Sequence, residues 1–293
     1  MKALQEINLF WGQYHKKLGR IEKKRIEEEL NALAERLKNR KYKIAYTAYN
    51  IFNIPDRTED LYEHLKFYCD TGRTWAVLLS AINIHSYGKV VDLCPGFAPK
   101  VELGLFYLDY QGEVIILDKR MDSMKKLEEM LMLFGPKYKI TPKKIELFKP
   151  HPQSYPVVIA NHIIDDLVMD YFAKKFNISS QEIYEKEGKL IEIWGKILSG
   201  KQSHAEEILP HLVQGVGSLI QKGGWLLMAQ YQSYIEKLFN LKEVTRFNKN
   251  LFKKLVEELS REGFYNDRNL VEKSFKNFKG IFKKSECYIL KKL

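Results

Sequence analysis

The chain has 293 residues, 45% of them hydrophobic and 29% charged, which is ordinary for a packed globular protein and too apolar for a disordered one. Lysine and arginine number 48 against 37 acids, and the net charge of +11 favours nucleic acid, an anionic membrane surface or an anionic substrate without choosing among them. The apolar runs 75–82 and 224–229 are far short of a membrane span, residues 1–20 lack the apolar centre of a secretory signal, and Cys69, Cys94 and Cys287 fit neither a disulfide framework nor zinc spacing, so a soluble, cytoplasmic protein is expected.

Residues 1–85 read as a helical cap. Ile21, Ile26, Leu30, Leu33 and Leu37 recur at helical spacing among charged residues. Pro55-Asp56-Arg57-Thr58 is a turn, after which Thr58 is a plausible N-cap with Glu59 and Asp60 in the first turn. Leu61, Leu65 and Phe67 continue that helix, Thr71-Gly72 predicts its end, and 74–84 predicts another. Phe10, Trp11, Tyr14, Tyr46, Tyr49 and Phe52 are either the core of this unit or the lining of a lid.

From Lys89 the pattern alternates between strand and helix. Strands are expected at 90–93, 113–117, 144–148 and 155–160, and helices at 100–108 and 122–133. Such alternation implies βαβ units and a parallel sheet covered on both faces, with ligands beyond the strand carboxyl ends at the switch point. The stretch 163–222 is long for one crossover and holds about three helices, 163–176, 180–198 and 204–221. A strand at 225–229, helices at 233–239 and 250–260, and two strands at 270–275 and 287–290 complete the chain, the last two separated by the lysine-rich segment 277–284.

The chemically informative stretch is Val90-Val91-Asp92-Leu93-Cys94-Pro95-Gly96-Phe97-Ala98-Pro99-Lys100, a strand, a tight turn and a helix start. Gly96 lets the backbone approach a ligand closely, and Pro99 suits a first helical turn. Asp92 ends one strand, where the alternative to a ligand is a helix cap, and Asp118 ends the next, where an acid accepts from the two hydroxyls of a ribose.

Here the chain resembles the class I S-adenosylmethionine-dependent methyltransferases, whose first motif is acidic-x-Gly-x-Gly-x-Gly. Asp92 and Gly96 match it, while Cys94 and Ala98 stand as small substitutes at the outer glycines. The resemblance covers roughly residues 87–293 and implies an α/β fold: a seven-stranded Rossmann-like sheet ending in an antiparallel hairpin, with the helical insertion between strands four and five. It implies S-adenosyl-L-methionine as cofactor, held by Asp92, Leu93, Cys94, Gly96, Asp118, Lys119, Asn161 and Arg73. Asn161-His162 falls at the fourth motif, where His162 is the expected general base and Asp165 or Asp166 orients it or binds the acceptor, unless these residues only line the pocket and cap a helix.

The departures narrow the chemistry. No acid for an adenine amino group ends the third strand near Lys149-Pro150, and the Asn/Asp-Pro-Pro-aromatic box of nucleobase N-methylation is missing. Catechol-type enzymes of the family complete a magnesium site after strand five, where this chain has Gln230-Tyr231-Gln232, so no metal is expected. Arg73 is equally a cofactor-carboxylate partner or a surface residue, Cys94 reads as packing rather than nucleophile, and His204 and His211 read as surface residues. The expected activity is methyl transfer to an O or N atom of a small or medium-sized acceptor. An RNA methyltransferase, with RNA as partner, and a non-catalytic RNA- or protein-binding member of the fold are the alternatives; a nicotinamide-dependent oxidoreductase ranks below them for want of Gly-x-Gly-x-x-Gly.

Overall fold

The runs Val90 to Leu93 and Val114 to Leu117 leave almost no polar face, so a sheet made of them needs apolar cover on both sides. The computed structural model describes residues 58–132, 135–180, 183, 187–232, 236 and 241–293. The strands are β1 (Lys89–Leu93), β2 (Glu113–Asp118), β3 (Lys139–Lys144), β4 (Tyr155–Asn161), β5 (Ile220–Ala229), β6 (Phe264–Asn266) and β7 (Cys287–Lys292). They form one sheet in the order β3-β2-β1-β4-β5-β7-β6. The pairings among β1 to β5 are parallel, and β7 runs antiparallel to both β5 and β6.

Alternate strand residues point to opposite faces, and each face has its own helical layer. One layer is α1 (Thr58–Ala81), α2 (Lys100–Tyr107) and α3 (Met121–Met132), with a later helix, Arg268–Phe275. From it Trp75, Leu78, Val101, Leu105, Met124, Leu127 and Val271 pack against Val90, Val114, Ile116, Val157, Ile159 and Leu227. The other layer is α4 (Ile164–Lys175), α5 (Glu187–Ser199), α6 (Lys201–Ser218) and α7 (Lys242–Arg261). Its Leu167, Phe172, Ile193, Leu212, Val216 and Leu255 meet Val91, Leu93, Ile115, Val158, Leu226 and Met228. Helix α2 follows β1 on one face and α4 follows β4 on the other, although β1 and β4 are neighbours. The topological switch point therefore lies at the carboxyl ends of β1 and β4.

Several elements differ from the sequence expectation. The third strand is Lys139–Lys144 rather than 144–148; it pairs only with β2 and carries three lysines and Pro142, which an edge tolerates and which mask its strand signal. The segment expected as a strand at 270–275 is helical, here α8 (Arg268–Phe275), because the Asp267 side chain accepts from Leu270 N–H at 3.1 Å and starts a helix. The strand beside β7 is instead the short β6. Helix α7 begins at Lys242 rather than near 250, and β5 begins at Ile220, upstream of Gly223. His204 is half-buried rather than a surface residue: its Nδ1 lies 2.9 Å from the Ile197 carbonyl and its ring packs on Phe172. The helix expected at 21–37, the six aromatic residues of the cap, the turn through Arg57 and most of 233–239 lie outside the described residues. No described helix is long and apolar enough to cross a membrane.

Thr71-Gly72 does not end a helix; α1 runs through it and packs across α2. The glycine is there for proximity, since a Cβ at Gly72 would fall 2.6 Å from Leu103 Cβ, and one at Gly104 would fall 2.8 Å from Trp75 Cβ. In an exposed helix, Gly72→Ala would stabilise by about 1 kcal/mol. Here overpacking outweighs that gain, and the substitution is expected to lower the unfolding free energy in urea by about 1–3 kcal/mol; a more stable variant would contradict the close crossing.

Candidate functional site

After Leu93 the chain leaves the sheet through two left-handed residues, Cys94 (φ 52) and Gly96 (φ 65). Cys94 N–H still donates to Leu117 O at 2.7 Å, so the turn starts from a strand held to its neighbour. Among the described residues nothing lies within 4 Å of where a Cβ at Gly96 would be, so the turn presents an open backbone ledge to them. Gly96 N–H donates to Asp118 Oδ2 at 3.2 Å, and Arg120 N–H donates to Oδ1 at 2.9 Å. The structure thus brings Gly96 and Asp118 together. A carboxylate accepts about four hydrogen bonds, so Asp118 retains capacity for a ligand. Burial raises its pKa to about 6, against the lowering effect of these N–H groups and of Lys119.

Asp92 lies beneath that turn, 1% exposed, with its carboxyl against that of Glu102 on α2. Burial pushes both pKa values up, and the like charge of Glu102 pushes Asp92 further. Leu93 is buried in the sheet core, its register partner on β4 being Ala160.

At the end of β4, Asn161 Oδ1 accepts from Trp75 Nε1 at 2.8 Å and from Tyr231 O–H at 3.2 Å. His162 is also left-handed (φ 57), and its N–H donates to Ala229 O at 2.8 Å. Its ring stacks on Tyr231 with centroids 5.1 Å apart, and Tyr231 stacks in turn on Phe282 at the same spacing. Gln230 fixes the tautomer. Its Oε1 accepts Ile164 N–H at 3.3 Å, so its amide Nε2 faces His162 Nδ1, 2.6 Å away. Nδ1 therefore accepts and the proton sits on Nε2. That atom lies 3.6 Å from Asp165 Oδ2 and 4.0 Å from Glu236 Oε2. Burial lowers the His162 pKa to about 4, opposed by Glu236, and burial raises that of Asp165 to about 6. Among the described residues neither His162 Nε2 nor Asp165 Oδ1 has a hydrogen-bond partner.

Three of the expected residues are engaged elsewhere or held inert. Lys119 forms an ion pair with Asp170 on α4. Arg73 is paired with Asp70 at 2.7 Å, with its guanidinium over the Tyr107 ring, and half of its side chain is exposed. The Cys94 thiol is pushed well above its ordinary range, by burial first and then by Asp118, Asp170 and Asp166, which disfavours a thiolate nucleophile. Asp166 stands in the first turn of α4, close enough for its charge to act on that thiol. Glu102, Gln230, Tyr231, Phe282 and Glu236 were not singled out from sequence as site residues. Gln230 and Tyr231 follow directly on a strand end, the one signal that marks them. Among the described residues no group of three or more His, Cys, Asp or Glu is placed to hold a metal ion.

No protein-family model and no curated protein matches the chain. Solved structures similar to it include the plantazolicin methyltransferase BpumL, at 11% identity and a TM-score of 0.41 over 90% of this chain and 98% of that one. They include a SAM-dependent methyltransferase of Methanosarcina mazei, at 11% identity and a TM-score of 0.39 over 72% of this chain and 96% of that one. The mitomycin 7-O-methyltransferase MmcR matches at 10% identity and a TM-score of 0.42 over 75% of this chain, which spans only 54% of MmcR. The expected α/β, Rossmann-like sheet of seven strands ending in an antiparallel pair is the one observed, with β6 in place of the strand expected at 270–275.

Trp75→Phe tests how α1 supports the strand ends. It keeps the aromatic packing and removes the bond to Asn161. The expected loss is about 1–3 kcal/mol in chemical denaturation, the cost of an unsatisfied buried acceptor softened by Tyr231. Unchanged stability would show that Asn161 does not depend on α1.

Proposed function

We propose that the chain is an S-adenosyl-L-methionine-dependent methyltransferase acting, without a metal, on an oxygen or nitrogen atom of a small or medium-sized acceptor. The observation that carries this reading is the open Gly96 ledge with Asp118 hydrogen-bonded to its N–H. A nucleoside laid along the ledge meets backbone without a Cβ, and Asp118 has free lone pairs for its sugar hydroxyls. Asn161 and the β1 end would flank the rest of the cofactor, which when bound supplies an electrophilic methyl group on a positively charged sulfur.

The chain's own groups suit a cation. Asp118, Asp165, Asp166 and Asp170 gather around the switch point, and the field of these partly buried acids favours a cationic ligand over a neutral one of the same shape. The stacked Tyr231 and Phe282 wall the β5 side and exclude water there. His162, neutral above about pH 4 and carrying its proton on Nε2, serves as a donor that orients the acceptor. The base role expected for it passes to Asp165, whose raised pKa of about 6 suits proton uptake near neutrality. Arg73 and Lys119 have no part in this mechanism, being held by Asp70 and Asp170. In the lysine-rich segment 277–284, Lys284 is bound to Glu272 at 2.6 Å.

Calorimetric titration with S-adenosyl-L-methionine is the direct test. The wild type should bind, and Asp118→Ala, while still unfolding in one cooperative transition, should bind about 10- to 100-fold more weakly, as loss of hydrogen bonds to a charged group implies. Absence of binding by the wild type would overturn the reading.

The base assignment predicts a pH profile. Asp165 must be ionised to accept a proton, so kcat/KM for an acceptor returned by a methyl-transfer screen should fall about tenfold per pH unit below about pH 6. His162 adds no second limb in that range, because it is already neutral. Asp165→Asn should abolish the limb and lower kcat by about 100-fold or more; a profile that keeps the limb would assign the base elsewhere.

A further inference from the structure

The Asp92–Glu102 pair is unexplained by anything described so far. All four carboxyl oxygens of the two residues are buried, and among the described residues none has a hydrogen-bond partner. Asp92 is 1% exposed and Glu102 is fully buried, yet the two carboxyls are within hydrogen-bonding reach of one another. Two carboxyls can meet this way only if a proton lies between them; ionised together, they repel in a medium that screens poorly. The charged groups acting on the pair are Lys100, at the start of α2, and Asp118, at the end of β2. Lys100 favours ionisation of both members, and Asp118 opposes that of Asp92.

Glu102 is held firmly. It lies in α2 next to Leu103, which meets Gly72 of α1, and its carbonyl accepts from Tyr138 O–H at 2.8 Å. Asp92 is equally fixed, in register with Ile116 of β2 and Ile159 of β4. The pair therefore forms a rigid, titratable unit at the end of β1, near enough to Asp118, the acceptor of the Gly96 N–H, for that carboxylate's charge to act on Asp92. A cation seated at the Gly96 turn adds positive potential to the pair, as Lys100 already does, and tips it towards ionisation.

We propose that Glu102 is a positioning residue of the cofactor site: its carboxyl shares one proton with Asp92, and a cationic ligand bound at the Gly96 turn expels that proton. The inference rests on the proposed function for the identity of the cation. The ligand then meets an additional negative charge created by its own arrival, and a neutral ligand of the same shape does not. The proton leaves to solvent and no covalent bond changes. Glu102 acts only through Asp92, which is why it is not a catalytic residue.

The test is titration with S-adenosyl-L-methionine at about pH 7 in phosphate and in Tris, buffers of different ionisation enthalpy. An α-amino group of pKa about 7.7–8.0 is then largely protonated and contributes little. The wild type should release about half to one proton per cofactor bound, and its affinity should rise with pH between about 6 and about 7. Glu102→Gln, which can donate to an ionised Asp92, should release clearly fewer protons than the wild type, leaving only the contribution of Asp118 near pH 6. Binding without proton release in the wild type, or equal release from the variant, overturns the proposal while leaving the cofactor assignment standing.

A second measurement needs no cofactor. Folding raises the pKa of the pair, so the native state binds more protons than the unfolded chain, and stability must fall as pH rises through neutrality. Urea unfolding of the wild type should show that fall between about pH 6 and about pH 8, and Glu102→Gln should flatten it. Asp92→Asn serves the same purpose if Glu102→Gln does not fold. Parallel slopes in wild type and variant would dismiss the shared proton even if no cofactor bound at all.

Discussion

The hydrogen bond from Gly96 N–H to the Asp118 carboxylate couples the two halves of the site. Without it the turn after β1 is a short segment with two left-handed residues, one of which, Cys94, pays a steric cost of about 1 kcal/mol for that conformation. The carboxylate also accepts from Arg120 N–H, so the start of the β2–α3 connection and the tip of the β1–α2 turn hang on one side chain. The arrangement is preorganised: the backbone faces outward at Gly96 and the acid is already aimed at the same edge. Burial alone would favour a protonated Asp118, and the two N–H groups are what oppose that.

The same edge is tied to the helical layer beneath it. Trp75 packs in the core with one side of the sheet and spends its single polar atom on Asn161 at the end of β4. Tyr231, just past β5, bonds to the same oxygen and stacks between His162 and Phe282. Core packing and site geometry are thus one network, and a change in how α1 crosses α2 is felt at the strand ends. The tight approach at Gly72 and Gly104 sets that crossing.

Legibility in the sequence followed burial. Strands covered on both faces, β1, β2, β4 and most of β5, show as unbroken apolar runs. Edge strands do not: β3 has lysines and a proline where a central strand would have valines, and β6 is three residues long. Segment 270–275 failed for a related reason, because a short apolar-polar mixture fits either period until the Asp267 cap decides. The strand-end positions of Asp92, Asp118, Asn161 and His162 were legible because a turn after an apolar run is visible in one dimension. Glu102, Glu236 and Phe282 reach the same edge only through folding. The His162 tautomer depends on a chain of contacts from Ile164 N–H through Gln230, which no local pattern records.

Net charge was the least informative feature, for a physical reason. A surplus of +11 is spread over a solvated surface, where screening limits each charge to about 8–10 Å. At the switch point burial raises the pKa values of Asp92, Asp118 and Asp165, and a neighbouring acid adds to it for two of them, Glu102 for Asp92 and Asp170 for Asp118. The amino ends of α2 and α4 also converge there and partly offset the acids. Burial penalises the charged form of each acid, and every proton held in consequence lowers the local negative charge. The local potential is therefore adjustable: it is mild when the edge is empty of cations and deepens when one arrives. A protein of net positive charge can in this way carry a locally acidic edge.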